Sequence, residues 1–387
     1  MATEPTTSNP TLAEAVSVLA NLISSGEFEK AEILACGALE QFPDNGAFLT
    51  LHGIALANLD KMGLAAARFR SAAEKGVQQA RVWLSFIEQY GDQPRELRQI
   101  QLEVEGLRRS AHVDYPTEVT METFAQCNAA CNFCPYREME RKGSKMSDEL
   151  IGKIISDLTA IPRSVPFHIA PFKVNEPFLD KRLFSICASI NQQLPHAKLR
   201  IFSNGSAFTR SILEQFSRLS NVARFWISLN SHEASDYERI MQLPFEGTLS
   251  KLDLLHGLVR EGLFRIPVAV SRVAESSQRD AAFTQFVRER YPLFETFLLK
   301  RFDWAGQVAV DALPPVPAIG CTRWFELSIM ANGKVALCCQ DGEGRHVIGD
   351  ALRENVLDIY NRPEYRRLRV DGLTRLEVKA PCNTCIY

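Results

Sequence analysis

The sequence predicts an α/β protein. An open, partial (β/α)6 barrel stands between an N-terminal all-α repeat domain and a small, cysteine-bearing C-terminal domain. Three observations carry this reading. Strand-like and helix-like segments alternate from residue 117 to residue 302. Small residues recur 34 positions apart near the start, as Ala31 with Ala65 and Ala38 with Ala72. Eight of the ten cysteines are gathered in two places: Cys127, Cys131 and Cys134 on one segment, and Cys321, Cys338, Cys339, Cys382 and Cys385 towards the end.

A chain of 387 residues suffices for two or three domains. Hydrophobic residues make up 46% and charged residues 23%, an ordinary globular balance. The formal net charge of −2 gives no global basic field, so nucleic acid is not indicated as a partner. Clustered cysteines in a long chain point to metal chemistry in a reducing compartment rather than to a disulfide scaffold. The opening MATEPTTSNP lacks the basic region and apolar core of a signal peptide. No apolar run reaches the ~18 residues that suggest a membrane span. These features predict a cytoplasmic protein without a membrane partner.

The elements follow in order. Residues 1–10 are polar and read as a disordered tail. Residues 11–92 read as helical repeats. GEFEKAEILACGALEQFPDN resembles the second half of a tetratricopeptide (TPR) repeat, through Ala31, Ala38 and Pro43. The next unit supplies Gly53, Ala65, Phe69 and Ala72 at the same phases. Helix pairs at a period of 34 are the mark of that repeat, and QQARVWLSFIEQYG reads as a helix capping the stack. Residues 93–115 form a charged linker helix. The core, 116–310, holds candidate strands at 117–124, 165–173, 197–203, 223–229, 265–273 and 296–302. Amphipathic stretches lie between them at 147–160, 180–193, 208–219, 247–261 and 277–291. Six such units argue a parallel sheet and are too few for a closed eight-fold barrel. Folds of this kind place their chemistry at the carboxyl ends of the strands, where the first cysteine segment falls. LPPVP (313–317) reads as a linker, so 311–387 is expected to be a small separate domain. Cys36 and Cys187 lie in apolar helical stretches and read as core residues.

The first cysteine segment, QCNAACNFCP, has the spacing C-x3-C-x2-C. Three thiolates on one short loop can hold three irons of a 4Fe–4S cluster, which otherwise takes four cysteines. The fourth iron is then left for another ligand. Structural zinc wants four ligands, usually in separated pairs, and the next histidine is only at His168. The spacing, with Phe133 before the last cysteine, resembles the radical S-adenosylmethionine (SAM) superfamily. That resemblance implies SAM on the open iron and its reductive cleavage to a 5′-deoxyadenosyl radical. It also implies an electron donor such as flavodoxin or ferredoxin. Val174-Asn175-Glu176-Pro177 is similar to the family's Gly-Gly-Glu-Pro, which binds the SAM amine; Asn175 departs from it. Ser203-Asn204-Gly205 resembles the family's Thr-Asn-Gly turn. Ser228 and Asn230 end the fourth strand, where the family often places a polar side chain for the SAM ribose or carboxylate. Arg272 ends the fifth, as a partner for the SAM carboxylate. Singly, these residues read as a turn or a helix cap; their order behind the cysteines gives them weight.

In the second group, Cys321 precedes WFELSIMANGKVALCC, which reads as strand, Asn-Gly turn, strand. This hairpin brings Cys321 towards Cys338. Cys339 faces the other way if the segment is extended. Cys382 and Cys385 form a C-x2-C pair at the end. Four thiolates suit either zinc or an iron–sulfur cluster. The pattern C-x11-G-x4-C resembles the opening of the SPASM domain, and the chain stops after one further pair, like the shortened "twitch" variant. The resemblance implies a second, auxiliary 4Fe–4S cluster on Cys321, Cys338, Cys382 and Cys385.

By this resemblance the protein is expected to be an enzyme that abstracts hydrogen from substrate, as an oxidoreductase or maturase. Such an enzyme would oxidise or modify a peptide, or a carbohydrate or aminocyclitol. Arg301 and Asp303, at the end of the sixth strand, are candidates to face substrate, or equally solvated loop charges. The helical repeats suggest a peptide or protein partner. The competing reading is a non-enzymatic TPR scaffold with structural zinc sites.

Overall fold

The computed structural model describes residues 12–310 and 313–387. The tail expected at residues 1–10 lies outside them. The chain divides into two compact units, one ending at Gln99 and the other running from Ile100 to Tyr387. Among the described residues no helix is long and apolar enough to cross a membrane.

The first unit is helical: α1 (Leu12–Ser24), α2 (Phe28–Gln41), α3 (Gly46–Asn58), α4 (Met62–Glu74) and α5 (Gln78–Tyr90), with α6 (Arg95–Arg108) beginning at its end. From α1 to α5 each helix packs on the next. Ala31, Ala65 and Ala72 are wholly buried. A side chain at Gly53 would place its Cβ 2.6 Å from the Phe69 ring, so glycine is what lets α3 approach α4. The Asn45 side chain starts α3 by accepting from the amides of Ala47 and Phe48.

The second unit is built on one sheet. Strands β1 (Glu118–Met121), β2 (Phe167–Ala170), β3 (Ala197–Ser203), β4 (Val222–Ser228), β5 (Val268–Val273) and β6 (Glu295–Leu299) are parallel and neighbours in sequence order. Helices α7 (Asp148–Leu158), α8 (Leu183–Gln193), α9 (Arg210–Phe216), α10 (Ala234–Met241), α11 (Phe245–Arg260) and α12 (Ser277–Arg290) intervene. The second strand is shorter than its sequence suggests because Pro166 and Pro171 flank it, and proline has no amide to donate. The sequence reading omitted α10, which is only eight residues long.

The C-terminal segment extends the same sheet. Its first strand, β7 (Glu326–Ile329), pairs in parallel with the free side of β1, with Glu118 opposite Glu326. The predicted hairpin follows as β8 (Lys334–Ala336), and β9 (Val347–Asp350) completes a nine-stranded sheet. All four residues of β7 are buried, Leu327 and Ile329 on one face and Glu326 and Ser328 on the other, as befits a strand inside a sheet covered on both sides. Helices α13 (Val356–Tyr360) and α14 (Pro363–Val370) follow, and two short helical turns, Arg375–Glu377 and Cys382–Thr384, come after them.

One ion pair binds these pieces. Glu122, just past β1, is fully buried and is gripped by the Arg141 guanidinium. Its carboxylate also accepts from the amides of Val174 and Ala331, each at 3.3 Å. Arg141 in turn donates to the Gly342 carbonyl at 2.6 Å. Replacing Arg141 with Met should lower the unfolding free energy by about 3–5 kcal/mol, since Glu122 would stay buried without its cation. Adding Glu122→Gln should recover part of the loss. Denaturant titration followed by circular dichroism measures both, and an unchanged midpoint for Arg141→Met would remove the pair from this role.

Candidate functional site

The first cysteine loop leaves β1 and is fixed from two sides. The Met146 amide donates to the Thr123 carbonyl at 2.9 Å and the Gly143 amide to that of Ala125 at 2.8 Å. On the other side, Ala130 and Asn132 donate to the carbonyls of Met241 and Ile240, at the end of α10. Cys127, Cys131 and Cys134 then line one cavity of about 420 Å³ beyond the carboxyl ends of the strands. Burial pushes the Cys127 thiol up to about 12 and the Cys134 thiol up to about 11, and it drives Cys131 upward as well. Thiols so placed hold their protons unless a cation replaces them, so metal binding here releases protons.

The donor set fits an iron–sulfur cluster better than a single ion. Among the described residues no three His, Cys, Asp or Glu side chains stand close enough to grip one metal ion. Zinc bonds of about 2.3 Å would draw tetrahedral sulfurs to about 3.8 Å of one another. A cluster puts each thiolate on its own iron and spreads them further.

The structure brings most of the sequence candidates to this cavity. Asn175, Glu176, Ser203, Asn204 and Ser228 all line it. Asn175 accepts from the Lys173 amide, while its own Nδ2 is buried without a partner. Such an orphan donor suits an acceptor brought by a ligand. Glu176 accepts from Ser203 Oγ at 3.0 Å, the Asn204 amide at 2.6 Å and the Phe178 amide at 3.2 Å. Burial outweighs these bonds and pushes its carboxyl up to about 7. Asn204 Nδ2 donates to Asn128 Oδ1 at 2.8 Å and stands 3.9 Å from Cys127 Sγ, tying the turn to the cysteine loop. Gly205 has φ +83°, and Leu252, Ile227 and Thr248 would crowd any Cβ there.

Three candidates lie elsewhere. Arg272 is 2% exposed and pairs with Glu275 and Asp280, each at 3.0 Å. Strand alternation explains this: its neighbour Val273 lines the cavity, so Arg272 faces the opposite side. Asn230 sits at φ 63°, donates to Met241 Sδ and accepts from the Val273 amide, and so holds β5 and α10. Asp303 is buried and accepts from the Gly306 amide, capping a turn. Arg301 does line the cavity, at its exposed rim, and donates to the Asn132 carbonyl at 3.4 Å.

The sequence reading missed the cavity's inner wall. Glu118, Arg200, Phe202 and Trp226 face inward from β1, β3 and β4, and Phe172 and Lys173 from the loop after β2. Arg200 donates to Glu118 at 2.7 Å, and Phe172 stacks on Phe202 at 4.8 Å. Period-two alternation through KLRIFS and RFWIS was the available signal.

The second group also converges. Cys321, Cys338, Cys382 and Cys385 line a smaller, separate cavity, while Cys339 lines the large one. In the small cavity the Trp324 side chain is aimed at the Cys382 thiol, and Arg375 Nη2 is a buried donor without a partner. An anionic thiolate cluster would accept from both. All ten cysteines are free thiols.

Residues 321–386 match the SPASM family, an iron–sulfur cluster-binding domain. No curated protein sequence matches the chain. Among solved structures, Streptococcus suis SuiB bound to the precursor peptide SuiA is similar at 13% identity and a TM-score of 0.52, over 84% of this chain and 83% of that one. BtrN in complex with AdoMet and 2-DOIA aligns at 16% identity and a TM-score of 0.48, over 70% and 93%. Native anSMEcpe with bound AdoMet and Cp18Cys peptide aligns at 11% identity and a TM-score of 0.48, over 69% and 85%. At these identities the likeness to SuiB is one of fold.

The two thiol groups should load independently. Anaerobically reconstituted protein should carry about eight irons and eight sulfides per chain, and the Cys127→Ala/Cys131→Ala/Cys134→Ala variant about half, as Cys-ligated cubes require. Full iron retention in that variant would overturn the assignment of the first site.

Proposed function

We propose that the protein is a radical SAM enzyme with one auxiliary cluster, acting on a peptide. The carrying observation is the shared cavity. Three thiols of one loop open onto the same space as Asn175, Glu176, Ser203, Asn204 and Ser228, with the four-thiol nest close by. Cys127, Cys131 and Cys134 would hold a 4Fe–4S cluster with one iron open. SAM bound there would supply a 5′-deoxyadenosyl radical that removes hydrogen from substrate, given an electron from a donor such as flavodoxin or ferredoxin. Cys321, Cys338, Cys382 and Cys385 would hold a fully ligated cluster that serves as electron acceptor in a net oxidation.

The protein's own groups have definite tasks in this reading. Glu176, locked by three hydrogen bonds, presents a carboxylate edge for the SAM ammonium. Asn175 Nδ2 offers its free donor to the SAM carboxylate. Phe172, Phe202 and Trp226 exclude water from the inner wall. Arg301 stands at the mouth, where substrate enters.

The fold shared with SuiB, a protein solved with a precursor peptide, supports a peptide substrate. So does the helical first unit, which we read as TPR-like and as a surface for a peptide or protein partner. The ion pair on the otherwise aromatic inner wall, Glu118 with Arg200, favours a second class, a hydroxylated carbohydrate or aminocyclitol. The free thiols support a cytoplasmic setting.

Reduced enzyme should cleave SAM to 5′-deoxyadenosine. Glu176→Ala should weaken SAM binding by roughly 1.5–3 kcal/mol, the range for a charge-assisted hydrogen bond. Equilibrium dialysis measures this, and unchanged affinity would remove Glu176 from the SAM site.

The Cys382→Ala/Cys385→Ala variant should retain SAM cleavage, because four thiolates leave no open iron, yet lose product formation. Metal binding and folding are linked in such a tail, so circular dichroism must first show an intact fold. A folded variant lacking the second cluster but forming product normally would refute the electron-acceptor role.

A further inference from the structure

Lys173 stands between the two thiol groups. It lines the large cavity, yet it is 2% exposed. Its Nζ donates to Ser328 Oγ at 2.8 Å and to the carbonyls of Cys338 and Cys339 at 3.2 and 3.4 Å. Ser328 is itself fixed by Thr120 Oγ1 at 3.0 Å. Among the described residues no ion pair joins Lys173 to a carboxylate. The nearby Glu122 is already bound to Arg141 and to two amides. A buried ammonium without an anion costs several kcal/mol, so its place calls for a negative charge that the protein's carboxylates do not provide.

The two carbonyls it holds belong to the turn that divides the cavities. Cys338 faces the nest with Cys321, Cys382 and Cys385, and Cys339 faces the large cavity. We propose that Lys173 is a positioning residue for the auxiliary cluster: it fixes the Cys338–Cys339 turn and raises that cluster's reduction potential. This rests on the reading of the C-terminal nest as an iron–sulfur site. The physical reason is direct. Reduction adds one negative charge to the site, and a fixed cation in a poorly screened interior favours the more negative state. Cluster potentials respond to net charge and to hydrogen bonding around the sulfurs.

The test uses the full chain carrying Cys127→Ala, Cys131→Ala and Cys134→Ala, reconstituted with iron and sulfide, so that only the C-terminal site is loaded. Potentiometric titration followed by electron paramagnetic resonance then compares Lys173, Lys173→Met, Lys173→Gln and Lys173→Arg. Both neutral variants should show a lower midpoint, and Lys173→Arg should stay near the parent. Lys173→Gln keeps a donor towards the turn, so it separates charge from loop anchoring and decides the question where Lys173→Met does not hold iron. Equal midpoints in parent and Lys173→Gln, with about four irons in each, would overturn the role of Lys173 alone. A parent background without iron would overturn the auxiliary-site reading together with it.

Discussion

The buried Glu122 carboxylate is the constraint on which the site depends. Four segments meet at it: the cysteine loop through Arg141, the Asn175–Glu176 loop through the Val174 amide, the β7–β8 turn through the Ala331 amide, and the Gly342 loop through Arg141's second bond. These segments are distant in sequence and carry both thiol groups or their neighbours. A carboxylate with no access to water must have its lone pairs filled, so no segment can shift without exposing an unpaired charge. The geometry of the cavity is therefore held by an electrostatic requirement and not by loop contacts alone.

A second constraint comes from the register of β7 beside β1. It places Glu118 opposite Glu326, two acids on adjacent strands. Such a pair is repulsive unless each is neutralised. Arg200 does so for Glu118 at 2.7 Å and Arg323 for Glu326 at 2.5 Å. Burial still drives the Glu326 carboxyl upward, with Arg323 opposing it. Arg323 also stacks over the Tyr387 ring at 4.5 Å, so the chain's last residue is tied to the same cluster. The C-terminal segment is thus fastened through charge pairs as well as through backbone pairing.

The alternation of strands and helices from 117 to 302, and the cysteines with their spacing, were legible in the sequence because period and spacing are local properties. Cys338 and Cys339 line different cavities, but they do so on the turn after β8 and not as neighbours on a strand. Other features depended on information that a linear reading lacks. Arg272 reads as a strand-end cation, but its direction follows from the parity of β5 relative to the cavity, and Val273 took the inward place. Asp303 and Asn230 serve turns whose backbone lies at positive or sharply bent conformations, which side-chain chemistry does not announce. Lys173 looks like a solvated charge in FKVNEP; only the fold of β7 and β8 over it makes it buried. Helix α10 is short, and its importance lies in two carbonyls offered to the cysteine loop.

The inner face of the sheet explains why a cavity exists at all. Parallel sheets are normally covered on both faces and are apolar throughout. Here helices cover one face, with Leu199, Ile201, Phe225 and Ile227 wholly buried on that side. The other face carries Glu118, Thr120, Arg200, Phe202, Trp226 and Ser228, a mixture that no helix could cover without stranding polar groups. Its aromatic members support one another: Phe172 on Phe202 at 4.8 Å, Phe202 near Trp226 at 6.0 Å, Trp226 on Phe297 at 4.9 Å. Trp226 Nε1 is satisfied by Ser271 at 2.8 Å. A stiff wall of this kind keeps its shape without a packed partner. The strand alternation that buries the helical face therefore leaves the opposite face open, and the cysteine loop at the strand ends completes an enclosure the sheet cannot close by itself.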